Sequence, residues 1–304
     1  MSGNTVSSAI LLLVIGNALA IVSDVFIKLL EPGAPVFQFA FLRSLLTLVL
    51  LLPLLGQINR DRLLEGVGLH ALRAHIHLAG LICMVVALTT LPLASANAVF
   101  YVAPVIVMVL SVVFMGEGLR PLSLLAVFSG FGGVLVILRP MEFNLASLSA
   151  LGTAFCLATA AVMVRKLPRE QSTVHKLFLS YLLMLPASLV LALLEGAPWR
   201  LEVVWSALGS AIFILGYNTS VLMAYRHVEA NQVTSAEYTG LIWAIAVGWI
   251  WFGEVPDLWF FTGSLMIILP LVLIGLQRRR TPVPPRQAMA AEVTAADSGK
   301  SQPD

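Results

Sequence analysis

The chain has 304 residues, of which 59% are apolar and only 11% charged, with a mean hydropathy of +0.94 and a formal net charge of +2. Soluble domains run at about 45–50% apolar and about 25% charged, so the composition excludes a soluble globular protein and places the chain in a bilayer. A charge balance this small gives no basic footprint, and no nucleic-acid partner is expected.

Ten apolar runs are predicted to cross the membrane, at residues 7–30, 35–55, 73–91, 93–115, 121–139, 146–164, 172–194, 201–225, 230–252 and 259–276. Each is close to the roughly 20 residues that a helix needs to span the hydrocarbon layer. The first run lacks a basic leader region and is followed by further spans, so it reads as a helix, although Ala18-Leu19-Ala20 faintly resembles a cleavage site. Connections are short and carry turn residues, as in Glu31-Pro32-Gly33, Leu91-Pro92, Arg139-Pro140 and Glu254-Val255-Pro256. The longest, residues 56–72, has room for an interfacial helical turn. Residues 281–304, rich in Pro, Ala and Ser, are predicted to be a disordered tail. The expected fold class is an all-α polytopic membrane protein of ten transmembrane helices.

Most of the 18 Lys and Arg residues fall on the side of both termini, among them Arg60, Arg62, Arg73, Arg120, Arg165, Lys166 and Arg169. The opposite side holds Lys28, Arg139 and Arg200, while Arg43 sits inside a span. The bias predicts that both termini are cytoplasmic, which requires an even number of spans.

Residues 230–254 read A-N-Q-V-T-S-A-E-Y-T-G-L-I-W-A-I-A-V-G-W-I-W-F-G-E, and residues 94–120 have a matching form. Both contain Gly-Glu near the end, at Gly116-Glu117 and Gly253-Glu254, 137 positions apart. The same offset pairs Tyr101 with Tyr238 and Lys28 with Arg165, while Arg43 precedes Pro53, and Lys176 precedes Pro186, by ten positions. Two related halves follow, 7–139 and 146–276. Five spans in each is an odd number, so the halves are inverted relative to one another. Inverted repeats recur in secondary transporters, whose substrate site lies near midplane between them.

L-P-L-A-S-A-N-A-V-F-Y-V-A-P with M-G-E, and then G-F-G-G-V-L-V-I-L-R-P, resemble the first repeat of the drug/metabolite transporter superfamily, EamA type. A-E-Y-T-G-L-I-W-A with W-F-G-E resembles its second repeat, and the likeness covers residues 10–276. The resemblance implies ten helices in two inverted five-helix repeats around a central cavity that opens alternately to each side. It also implies a small-molecule cargo, usually moved outward. Amino acids, nucleotide-like metabolites, vitamins, metallophores and drugs are the classes it covers.

The candidate site residues are polar groups inside apolar spans. Glu237 lies eight residues into its span, about 12 Å deep at helical rise. An ionisable group there costs about 2.5–3.5 kcal/mol to insert, so it is expected to bind substrate and to couple transport to protons. Asp24 and Arg43, at similar depth on adjacent helices, are expected to pair, with a structural and a substrate-binding role both open. Lys28, one turn beyond Asp24, is expected to snorkel to the outer surface. Tyr101, Tyr217, Asn218, Tyr238 and Trp243 are expected to line the cavity, and so is Asn97, for which a helix-to-helix hydrogen bond is the alternative. Trp249 and Trp251 belong to an interfacial belt. His75 and His77 fall on different helix faces, against a shared metal. Pro104 and Pro186 should kink or break their helices, Gly130, Gly132 and Gly133 should allow close helix packing, and Cys83 and Cys156 read as small packing residues.

No nucleophile–base pattern, Walker motif or metal signature appears, so neither an enzyme nor a cofactor or metal is expected. The reading is a secondary active transporter of the bacterial inner membrane that moves a small polar or zwitterionic metabolite, such as an amino-acid-like compound or an amino-acid-derived metallophore, by export. An importer of an aromatic vitamin such as riboflavin, and a passive facilitator or channel, are the alternatives. The reading allows a homodimer.

The topology is checked with reporter fusions. Those at Gln57 and after Leu276 should report cytoplasm, and one at Gly196 the outer side; an outer-side signal after Leu276 contradicts the ten-span scheme.

Overall fold

A computed structural model describes residues 6–31, 33–58, 62–115, 121–138, 144–164, 166–168, 170–225 and 239–280. The described chain is helical: α1 (Val6–Lys28), α2 (Val36–Leu51), α3 (Val67–Thr90), α4 (Leu93–Phe100), α5 (Ala103–Met115), α6 (Pro121–Leu138), α7 (Leu145–Val164), α8 (Thr173–Leu194), α9 (Leu201–Tyr225), α10 (Thr239–Phe252) and α11 (Leu258–Arg280). A short 3-10 helix, Leu52–Gln57, follows α2. Seven candidate spans are long and apolar enough to cross a membrane, one of them joining α4 and α5, and three shorter apolar helices correspond to α6, α10 and α11. These match the ten predicted spans. Glu237, Tyr238, Glu117, Arg139, Arg165 and the 281–304 tail lie outside the described residues.

Two boundaries differ from expectation. α3 begins at Val67, so Arg73, expected at the cytoplasmic edge of its span, stands six residues inside the helix. The fourth span breaks between Phe100 and Ala103, just ahead of Pro104. Pro removes a donor and clashes with the turn before it, which fits a break at that point. At Pro186 the helix is not broken: α8 runs through it.

The packing has the symmetry of the repeat. α1 packs on α9 as α3 packs on α7, α2 on α9 as α3 on α8, and α1 on α10 as α4 and α5 pack on α7. α2 with α8, and α6 with α11, are pairs that map onto themselves. The residues at the crossings repeat too. Gly16 abuts Ser220 and Gly216 abuts Leu19, while Gly152 abuts Cys83 and Gly80 abuts Cys156. Cys83 and Ser220, like Leu19 and Cys156, are 137 positions apart. Lipid tails are as apolar as the helices, so close approach through small residues supplies the contact that the hydrophobic effect supplies in water.

The tightest crossing joins α6 and α11. A Cβ on Gly133 would lie 2.5 Å from the backbone oxygen of Gly263. Beside it, Ser129 Oγ donates to the carbonyl of Met266 at 2.6 Å, across a separation of 137 residues. The contact therefore joins a residue to its own counterpart in the other half, so the pseudo-twofold axis passes through it.

Gly133→Leu should lower thermal stability by about 1–3 kcal/mol or more, since backbone cannot yield as a side chain does. Gly132→Ala meets only the end of the Met266 side chain, and should be tolerated. Melting of the two purified variants compares them directly; equal stability would remove the special role of the Gly133 contact.

Candidate functional site

A cavity of about 180 Å³ opens between the halves. Its α3 wall is formed by Arg73, His77, Gly80, Leu81 and Met84, a spacing that lies along one helical face. α8 adds Leu177, Ser180 and Tyr181, and α9 adds Ile214, Tyr217 and Asn218, each at i, i+3, i+4. α2 contributes Arg43, and α7 closes the back with Cys156 and Leu157. The small residues of the α3–α7 crossing thus also form part of the cavity wall.

Polar groups in this space are held from several sides. Arg73 Nη1 donates to Ser180 Oγ at 2.6 Å, and its Nε to the Ala160 carbonyl at 3.4 Å. The His77 ring stands edge-on to Tyr181, with centroids 6.1 Å apart. His75, on another face of α3, is exposed and bonds the Ala71 carbonyl at 2.7 Å. Arg43 is 6% exposed and buried in the membrane-spanning bundle.

The structure brings some predicted site residues together and separates others. Arg43, Tyr217 and Asn218 share the cavity. Asp24 is buried, but its carboxylate accepts from Asn97 Nδ2 at 3.1 Å. Asp24 and Arg43 feel each other's charge without forming a salt bridge among the described residues. Asn97 Nδ2 also donates to the Leu93 carbonyl at 3.2 Å, so Asn97 joins α1 to α4. Tyr101 packs its hydroxyl against Gly240. Near it, Asn17 Nδ2 donates to Thr239 Oγ1 at 3.2 Å. Trp243 donates its indole N–H to the Val14 carbonyl at 3.1 Å, which ties α10 to α1 away from the described lining of the cavity.

A second polar centre lies where α1 ends beside the end of α10. Lys28 Nζ lies 2.9 Å from Glu254 Oε1, with the side chains 12% and 18% exposed. Lys28 also donates to the Leu91 carbonyl at 2.8 Å, and sits 5.3 Å from the centre of the Phe252 ring. Glu254 Oε2 accepts from the Leu93 N–H at 2.7 Å. Lys28 therefore does not snorkel to the surface. The end of α10 explains why: Gly253, at φ 64, closes the helix with bonds from its own N–H to Trp249 and from the Glu254 N–H to Gly248, aiming the carboxylate inward. This single latch ties α1, the α3–α4 connection and α10 together.

Sequence reasoning missed Arg73, read as a loop charge, and the function of the Gly-Glu pairs, read as repeat markers. The signal for Arg73 was its spacing of four from His77 on one face. The repeat carries the latch charges a second time as Arg165 and Glu117.

Comparison with known proteins follows the same lines. The EamA-like transporter family matches residues 7–139 and again 144–276. The chain is 28% identical over 273 residues to a riboflavin transporter of Vibrio cholerae, covering 88% of this chain and 92% of the relative. It is 24% identical over 282 residues to a pseudopaline exporter of Pseudomonas aeruginosa, covering 90% and 97%. A similarity of 24% over 266 residues extends to an S-adenosylmethionine uptake transporter of Rickettsia prowazekii, covering 86% and 90%. A crystal structure with 17% identity superimposes with a TM-score of 0.57, covering 90% of this chain and 98% of the other, and shares the fold.

The latch is tested by a double-mutant cycle. Removing one partner of a fully buried ion pair costs about 3–5 kcal/mol, and the slight exposure of this one places it near the low end. Lys28→Gln and Glu254→Gln should each lower thermal stability, and the double variant should recover part of the loss; strictly additive losses would mean that the two charges act independently.

Proposed function

The chain belongs to the EamA-like transporter family, and from that premise we propose a secondary active transporter of the bacterial inner membrane that exports a small polar metabolite by alternating access. The observation that carries this reading is a cavity bounded by helices of both halves, while Lys28 and Glu254 tie α1 to α10 at one end of the bundle. The units that move are the five-helix halves 7–139 and 146–276, and both termini are cytoplasmic. The latch then lies at the outer end and the cavity toward the cytoplasmic side, an inward-facing state that loads from the cell interior.

The named relatives support a small-molecule cargo and differ in everything finer. Their printed names include a transporter, an exporter and an uptake transporter, for three unlike compounds. An amino-acid-like compound or an amino-acid-derived metallophore suits the mixed polar lining. Import of an aromatic vitamin such as riboflavin is the second reading, favoured by the aromatic edges of Tyr181, Tyr217 and His77 in one cavity.

Glu237 is the proposed coupling group. A carboxylate that takes either a proton or the cationic part of a substrate links export to proton entry. The cargo is identified by comparing the medium of a deletion strain with that of its parent, then loaded into proteoliposomes. Uphill movement that a protonophore abolishes supports the secondary transporter; equilibration without accumulation identifies a passive facilitator. Glu237→Gln should insert and fold normally, yet lose uphill transport and its pH dependence. Wild-type uphill rates with unchanged pH dependence in that variant would falsify the coupling role.

A further inference from the structure

We propose that the cavity between the halves is an acid-group site: Arg43 and Arg73 together hold a carboxylate or phosphate group of the cargo. The proposal rests on the transporter reading above and names the chemistry of its substrate.

Arg43 and Arg73 line one space from neighbouring helices, α2 and α3. Among the described residues neither forms an ion pair, and no carboxylate lines the cavity. Arg73 spends two of its five donors on neutral oxygens, those of Ser180 and Ala160. Arg43, at 6% exposure, has no side-chain hydrogen bond to the described protein. Its natural counter-ion, Asp24, is engaged by Asn97 instead and does not line the space.

The rest of the molecule treats buried charge differently. Lys28 at the latch has a carboxylate at 2.9 Å, a carbonyl and an aromatic face. The second cavity, beside that latch, is lined by Glu254 and Asp257 and, among the described residues, by no basic group. Two desolvated cations facing one cavity with no directly paired counter-ion among the described residues raise the energy of the empty protein, and an anion entering between them offsets that cost. A guanidinium presents paired N–H donors at the spacing of two acid oxygens, so each can grip the group bidentately. Tyr181 lies within electrostatic reach of both arginines, its hydroxyl held by Thr47. Tyr217 and Asn218, on α9, line the same cavity and are left for the remainder of the cargo. A compound with net positive charge and no acid group is excluded by the same electrostatics.

The inference is tested on purified full-length protein in nanodiscs, by thermal shift and titration calorimetry. The probes are succinate, glutamate and glycerol 3-phosphate, with succinamide and glycerol as uncharged controls. At least one acid should raise the melting temperature saturably while both controls leave it unmoved. Succinate or glutamate binding alone identifies a carboxylate site, and glycerol 3-phosphate binding alone a phosphate site. Loss of one charge-assisted contact should weaken binding roughly 10- to 100-fold in Arg43→Gln and in Arg73→Gln, with Lys at either position retaining part of it. Without ligand, Arg43→Gln should melt no lower than the wild type, because an unpaired buried charge has been removed. A lower melting temperature for that variant, with acid binding intact, would assign Arg43 to structural pairing with Asp24 and overturn the proposal. Failure of every acid to bind the folded wild type also overturns it, while the transport assay leaves the transporter reading standing or falling on its own. If acids bind but no uphill flux is found, the site stands and the transporter reading fails.

Discussion

In hydrocarbon no water is at hand to bond a loose N–H or C=O, and this constraint shapes the molecule more than any side chain does. It makes every described span a helix and confines irregular backbone to places covered by protein. The break at Tyr101 and Val102 follows that rule: Val102 is fully buried and Tyr101 lies against Gly240 of α10. Pro104 ends one helical piece and begins another where a neighbouring helix shields the gap. The same medium removes the hydrophobic effect as a force between helices, so the bundle is joined through close contacts at small residues.

Charges placed inside such a bundle need individual solutions, and the protein uses several. Asp24 is satisfied by an amide, Lys28 by a carboxylate, a carbonyl and an aromatic ring, and Glu195 by the free N–H groups of Phe37 and Gln38 at the start of α2. The last of these joins the α8 end to the α2 start, at a helix N-terminus where a negative charge is favoured. Arg43 stands apart because its surroundings supply attraction from Asp24 without direct pairing.

Much of the fold was legible in the sequence because lipid imposes a simple code. Apolar runs of sufficient length gave the spans, and the offset between Gly116-Glu117 and Gly253-Glu254 gave the repeat, which the symmetric packing of α1 on α9 and α3 on α7 matches. The site was less legible. Depth along a helix brought Asp24 and Arg43 together as candidates, and they do feel each other's charge, but depth says nothing of rotation, and the Asp24 carboxylate is bonded by Asn97. Lys28 was misread for a related reason: a long side chain near a helix end can reach water, and only the tertiary position of Glu254 offers it something better. Arg73 was hidden by an early helix start, since a basic residue next to a loop looks like a topology signal until the helix is found to begin six residues before it.

The α6–α11 crossing, where Ser129 meets Met266, shares with the α2–α8 pair a property that contacts such as α1 on α9 lack. In an inverted repeat, the inward- and outward-facing arrangements are related by interchanging the halves. Contacts such as α1 on α9 then trade places with α3 on α7, and any difference between the two favours one arrangement over the other. A contact that is its own image cannot take sides: its energy enters both arrangements equally. In the proposed alternating-access cycle the Ser129–Met266 contact is therefore a fulcrum, able to set how firmly the two halves are held together without tilting the balance between them, whereas a bias toward one side is written into pairs that are not their own images, Lys28 with Glu254 among them.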